Sequence, residues 1–311
     1  MRSFKLEDYS ELLAAIESPD LDLILVGGHA VSVYGYDYHR SCPALDAYLP
    51  FLSKDADLIG TVASGMQLAS RLNAQWKKES TKGGLRGLSI GHIELPNVPG
   101  AKVEILGQIL GVKTEDIRNT AVVKSFRGHQ FKVINPFLLY EAKATNVVQI
   151  DQIKESGSRR DRSQLGIMGI VVNKVLSELA STQGAERALV KASGRLLNFW
   201  LSSNGAALVR CNLADPKTTL PLRELTQHPS PSVQNFVTQM IPRFWATLAA
   251  RTASVPEPVV TKLESEGTHW KIVTGSQRND PPATSEFLSP LRQSSQDEPG
   301  DSRSQGRGIK R

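Results

Sequence analysis

"SKDADLIG", residues 53–60, sets two carboxylates, Asp55 and Asp57, two positions apart at the edge of an apolar run. In an extended chain alternate side chains share a face, so residues i and i+2 stand about 7 Å apart at their Cα atoms and point the same way. A strand here holds two like charges side by side, and each raises the pKa of the other unless a cation joins them. A solvated strand end uses the same residues. The surrounding sequence has to decide between the two.

Upstream, "LDLILVGG" (21–28) packs five apolar residues into a short run that ends in Gly27 and Gly28, the pattern of a buried strand entering a tight turn. "HAVSVYGY" (29–36) then reads as a helix. Before it, "LEDYSELLAAIE" (6–17) spaces Leu6, Tyr9, Leu13 and Ile16 as one face of an amphipathic helix. Residues 37–51, with Pro43 and Pro50 and no periodicity, read as a loop or lid with one helical turn.

Downstream, "TVASGMQLASRLNAQWKK" (61–78) offers Val62, Met66, Ala69, Leu72 and Trp76 at steps of three or four, predicting a helix that lies on the sheet by that face. "RGLSIGHIEL" (86–95) and "AKVEILGQI" (101–109) flank the turn "PNVPG" and predict a hairpin. "HQFKVIN" (129–135) reads as a last strand. Asn135 as N-cap and Pro136 at the first helical position then open a helix.

From Asp161 to about Arg251 apolar residues recur at helical spacing and almost no alternation remains. Within it, "NFW" and "RFW" place Phe199, Trp200, Phe244 and Trp245 as helical core. The expected organisation is an α/β domain over 1–135, a helical domain over 136–252, a linker with short elements over 253–275, and a tail over 276–311. That tail is too poor in apolar groups to offset its ordering entropy, which predicts disorder.

The chain has 311 residues and a net charge of +6, enough for one large or two ordinary domains. A basic balance admits a polyanionic partner without identifying one. Cys42 and Cys211 lie far apart with no metal-ligand spacing, so neither a disulfide framework nor a zinc site is expected. No run approaches the roughly 18–20 apolar residues of a membrane helix, and the first residues lack a signal peptide's apolar segment, so a cytoplasmic protein with no membrane partner is expected. The patterns GxxxxGK[ST] and GxGxxG are both missing, so neither a P-loop nor a Rossmann dinucleotide site is expected.

The order is thus strand, glycine pair, helix, Asp-x-Asp strand, helix, and a later strand carrying Glu104 in "KVEIL". Carboxylates converging on Mg²⁺ are what phosphoryl transfer requires. Glu94, on the partner strand, competes with Glu104 as the third acid. Lys143, at helical steps from Leu139, Val147 and Ile150, suits either a lysine whose stem covers apolar neighbours or a cation on phosphate. His29 suits either the core or a nucleotide contact.

"LVGGHAV", "SKDADL", "VEIL" and "YEAKATNVVQI…SRRDRSQL" together resemble the successive motifs of the nucleotidyltransferase-fold proteins of the AbiEii toxin type, within the DNA polymerase β-like superfamily. The resemblance spans roughly residues 10–180. It implies a mixed sheet flanked by helices, Gly27 and Gly28 at the nucleotide triphosphate, and Asp55 and Asp57 on catalytic Mg²⁺ or Mn²⁺ with Glu104 as further ligand. It also implies Lys143 and Lys54 at the nucleotide, and Arg159 and Arg160 beside Asp161 for the acceptor.

The implied activity is transfer of a nucleotide from an NTP to RNA, such as a tRNA end, or to protein, with a separately encoded DNA-binding antitoxin as partner. A degenerate copy that binds nucleotide or RNA without turnover is the alternative. Between the glycines and the acids lie 26 residues, His29 to Lys54, about twice the family's usual spacing. The basic residue and hydroxyl that precede the acids in the family are either Lys54 and Ser53 or Arg40 and Ser41.

Overall fold

Leu23, Ile24, Leu25 and Val26 are each at most 3% exposed, so the short strand β1 (Ile24–Val26) is covered on both faces. A strand covered in this way needs a sheet neighbour on each edge and helices above and below. β2 (Ala56–Ile59) pairs antiparallel with one edge, and β7 (His129–Val133) runs parallel along the other. The computed structural model describes residues 2–78, 89–149, 157–253, 262–266 and 269–273.

The fold is α/β around a seven-stranded mixed open sheet in the order β3-β4-β5-β2-β1-β7-β6. The remaining strands are β3 (Trp76–Lys78), β4 (Ser89–Glu94), β5 (Lys102–Leu106) and β6 (Val122–Phe126). β4 and β5 form the expected hairpin, with Ile93 opposite Val103, and β5 runs parallel to β2. β6, on the edge, went unread in the sequence, as did the short helix α4 (Thr114–Thr120) before it.

The N-terminal helix α1 (Ser10–Ile16) follows a 3₁₀ turn at Leu6–Tyr9, and Leu6, Tyr9, Leu13 and Ile16 are all buried as their spacing predicts. α2 (Gly27–Tyr38) begins directly at the glycine pair. Residues 39–51 differ from the expected loop: 3₁₀ turns occupy His39–Ser41 and Pro43–Tyr48, and Leu45 is fully buried. The Pro43–Tyr48 turn packs against α6 (Gly157–Ser181), where a Cβ on Gly166 would lie 2.5 Å from the Tyr48 hydroxyl.

The helix predicted over 61–78 is shorter and faces otherwise. α3 (Val62–Arg71) stops before Asn73, which takes a left-handed φ of 48°, and Trp76 belongs to β3. Val62 and Met66 are exposed while Gly65, Leu68 and Ala69 face inward, because the Trp76 ring lies against Gly65 and Gly91.

The helices α5 (Pro136–Gln149), α6, α7 (Glu186–Leu201), α8 (Ser203–Arg210), α9 (Pro216–Thr219), α10 (Leu222–Thr226) and α11 (Pro231–Ala253) follow. The Asn135 carboxamide oxygen accepts from the Phe137 amide at 3.0 Å, the expected cap of α5. Both α5 and α6 pack on α2, and residues 1–275 form one compact unit. In the helical core Trp200 is fully buried with its indole N–H donating to Thr219 at 3.0 Å, and Phe244 is buried beside Trp245.

Residues 253–275 contain the hairpin β8 (Lys262–Glu266) and β9 (His269–Val273). The expected tail, 276–311, lies outside the described residues. Cys42 and Cys211 are free thiols. Among the described residues no helix is long and apolar enough to cross a membrane.

A core shared by the sheet and the helices predicts one unfolding transition. Tryptophan fluorescence and far-UV circular dichroism should give coincident urea curves. Leu58→Ala, at a fully buried position of β2, should shift both together by about 2–5 kcal/mol. Two transitions of which only one moves would contradict the shared core.

Candidate metal and phosphate site

The register of the sheet assembles the acids. Asp57 sits opposite Val26 on β1 and beside Glu104 on β5, so the last residue before the glycine bend, the second aspartate and the third acid form one row across three strands. Asp55 lies two residues ahead of Asp57 on the same chain, just before β2. One carboxylate oxygen from each of Asp55, Asp57 and Glu104 lies within 4.8 Å of the others.

Glu94 does not join them. It stands opposite Lys102 on β4, one strand farther out, and its carboxylate takes the Lys77 ammonium at 2.8 Å. Of the two candidates for third acid, Glu104 is the one the sheet brings to the pair.

Crowding has an electrostatic consequence. Burial, then the Asp55 charge, then Glu104, hold the Asp57 carboxyl well above the usual carboxylate range. Asp55 is raised as well, by burial and then by Glu104. Lysines moderate this: Lys102, Lys54 and Lys143 each lower the Asp55 pKa. Lys102 reaches Glu104 most closely, its ammonium 2.6 Å from the carboxylate.

The glycine bend lies against this cluster. Gly27 has a φ of +64°, a conformation that suits glycine, and a Cβ there would overlap the Asp57 carboxylate. Val26 supplies no side-chain cap to α2. The first amide N–H groups of a helix have no intrahelical acceptor, and the helix dipole favours an anion beside them.

Lys143, on α5, is 6% exposed, and its ammonium lies 3.6 Å from the Asp161 carboxylate of α6. It acts electrostatically on both Asp55 and Asp57. Arg159 and Arg160 fall in the first turn of α6, where side-chain placement lies outside the described residues. Arg40 and Ser41 are exposed, and the Ser41 hydroxyl donates to the Tyr38 carbonyl, whereas Ser53 and Lys54 directly precede the acids.

His29 is fully buried with its ring 4.6 Å from that of Tyr9, and burial pushes its pKa down to about 3, so it belongs to the core as a neutral ring. Tyr9 is a member that periodicity marked only as core. Its hydroxyl donates to the Lys102 carbonyl at 3.3 Å, and both aspartates raise its pKa after burial does. Lys102 carried a readable signal, since a residue two before Glu104 on a strand shares its face.

Three hard carboxylate oxygens at this spacing, with repulsion relieved only in part by lysines, fit an oxygen-coordinated divalent cation such as Mg²⁺ or Mn²⁺. No protein-family model, curated protein or solved structure matches this chain.

Mn²⁺ binding followed by electron paramagnetic resonance should weaken at least about tenfold in Asp57→Asn. It should tighten about tenfold in Lys102→Met, which removes a competing charge a few ångströms away. An unchanged affinity in Lys102→Met would mean that Glu104 does not face the metal.

A second expectation concerns pH. A carboxyl whose folded pKa lies above its unfolded value binds more protons in the folded state, so stability is fully present below the unfolded pKa and falls as pH rises through the folded one. In EDTA, Asp57→Asn should therefore gain in Tm over the wild type as pH is raised from 4 towards 8, by about 2–4 °C for each kcal/mol relieved. Saturating Mg²⁺ should reverse the gain. A Tm difference independent of pH would show that Asp57 is not strained by its neighbours.

Proposed function

We propose that this protein is a metal-dependent nucleotidyltransferase of the AbiEii-type branch of the DNA polymerase β-like superfamily, transferring a nucleotide from an NTP to an acceptor hydroxyl. The observation that carries the reading is the contact of the Gly27 bend with Asp57, itself in register with Glu104. A helix N-terminus without a side-chain cap and a carboxylate cluster thereby adjoin. The mixed sheet supports the fold assignment.

A divalent cation held by Asp55 and Asp57, with Glu104, would neutralise the triphosphate and lower the barrier to attack at the α-phosphorus. The acceptor oxygen forms a bond to that phosphorus as the bond to the β-phosphate oxygen breaks, and pyrophosphate leaves. The acceptor proton passes to the Glu104 carboxylate or to water. The α2 N-terminus and Lys143 bind the phosphates, and the Lys143 charge stabilises the leaving pyrophosphate. Asp161 holds Lys143 in place.

RNA is the acceptor that the charge distribution favours. Residues 1–135 carry fifteen Lys or Arg against fifteen Asp or Glu, whereas residues 136–253 carry fourteen against eight, a net of +6. Arg162, Arg187, Lys191, Arg223 and Arg243 are exposed in that helical part. Phosphodiester backbones bind such surfaces through counterion release. As a toxin, the protein would be held in check by a separately encoded antitoxin.

Incubation with each labelled NTP, Mg²⁺ or Mn²⁺ and tRNA should give label transfer that falls at least about a hundredfold in Asp55→Ala and in Asp57→Ala. Transfer that survives both substitutions would remove the assignment. The Lys102–Glu104 ion pair favours a second reading, a binding module without turnover. Nucleotide binding with no transfer to any acceptor would select it.

A further inference from the structure

Lys102 precedes Glu104 by two residues on β5, so the two side chains leave the strand on one face. The backbone that carries Lys102 is firmly held. Ala101 and Val103 on either side of it are fully buried, and the Lys102 carbonyl accepts from the Tyr9 hydroxyl at 3.3 Å. Two acids stand within reach of its ammonium: Glu94, directly opposite on β4, and Glu104. Glu94 is taken by Lys77 at 2.8 Å, and Lys102 pairs with Glu104 at 2.6 Å. The lysine thus goes to the acid that belongs to the carboxylate cluster.

In phosphoryl-transfer sites with two metals the ions stand about 3.5–4 Å apart, one serving the attacking oxygen and the other the leaving oxygen. Here a positive charge already sits on the third acid. Three carboxylates and one contacting ammonium carry two net negative charges, which a single divalent cation neutralises. A second would leave the cluster positive and would stand a few ångströms from the ammonium, where like charges repel strongly. Lys54 and Lys143, which also lower the Asp55 pKa, weigh further against it.

We propose that the Lys102 ammonium stands in for a second divalent cation, so that Asp55, Asp57 and Glu104 bind one ion and Lys102 serves the attacking side of the reaction. This rests on the nucleotidyltransferase reading and deepens it. As the acceptor oxygen bonds to the α-phosphorus, its proton passes to Glu104 and the bond to the β-phosphate oxygen breaks. Lys102 holds the Glu104 carboxylate in place and offers positive charge to the acceptor oxygen as that proton leaves.

Mn²⁺ titration of the full-length protein, followed by electron paramagnetic resonance, counts the ions. The wild type should bind one Mn²⁺ with no spin coupling. Lys102→Met should bind two at millimolar Mn²⁺, with the exchange-coupled spectrum of a close pair, and Lys102→Arg, which keeps the charge, should bind one. Label transfer reads the role in the reaction. At the Mn²⁺ concentration that fills the wild-type site, transfer by Lys102→Met should fall at least about tenfold. Further Mn²⁺ should restore it, whereas Glu104→Gln should stay low. Thermal melts identify the variants that fold.

A wild type that binds two coupled Mn²⁺ ions would overturn the proposal, as would a folded Lys102→Met that binds one ion as the wild type does. Transfer that excess Mn²⁺ fails to restore in Lys102→Met holding two ions would also overturn it. One ion in the wild type and two in Lys102→Met, with no transfer by either to any acceptor, would uphold the one-ion site and remove the nucleotidyltransferase reading. No Mn²⁺ in either protein would remove both.

Discussion

Like charges forced together are the constraint on which this architecture turns. Backbone pairing between β2 and β5 sets Asp57 beside Glu104, and the bend that leads into β2 brings Asp55 to within ligand distance of both. A carboxylate cluster inside a fold costs stability unless positive charge is brought to it. Lys102 and Lys143 bring part of that charge, Lys102 by pairing with Glu104 itself, while Lys143 is shared with Asp161 outside the cluster. On the proposed reading, a divalent cation would supply the balance.

The second constraint is backbone proximity. Gly27 and Gly28 have no side chain to hold α2 away from the acidic row, and their contacts with Asp57 and Ser53 fix how closely helix and strand approach. The same helix start has no side-chain cap. Crowded acids and uncapped amides thus meet at one spot. The fold accepts crowded acids and uncapped donors there, while its core elsewhere is closed by Leu25, Leu58, Tyr34 and Trp200.

Much of this could be read from residue order. The Asp-x-Asp spacing, the glycine pair after a buried run and the Asn-Pro helix start each act over a few residues, and local steric rules suffice to interpret them. Glu104 against Glu94 could not be settled that way. Both lie on the strands of one hairpin, and only the sheet order, with β5 between β4 and β2, shows that Glu94 is a strand too far. Trp76 misled for a related reason: it continues the helical step of α3 past the left-handed turn at Asn73, and its partners Gly65 and Gly91 are distant in sequence.

The most direct measurement of the central claim is a crystal structure grown with Mn²⁺ and a non-hydrolysable NTP, with data collected at the manganese absorption edge. The account predicts an anomalous peak among the carboxylates of Asp55, Asp57 and Glu104, with the triphosphate running from it to the amides of Gly27 and Gly28. Ordered carboxylates with no anomalous density between them, or a nucleotide seated away from the glycine bend, would contradict it.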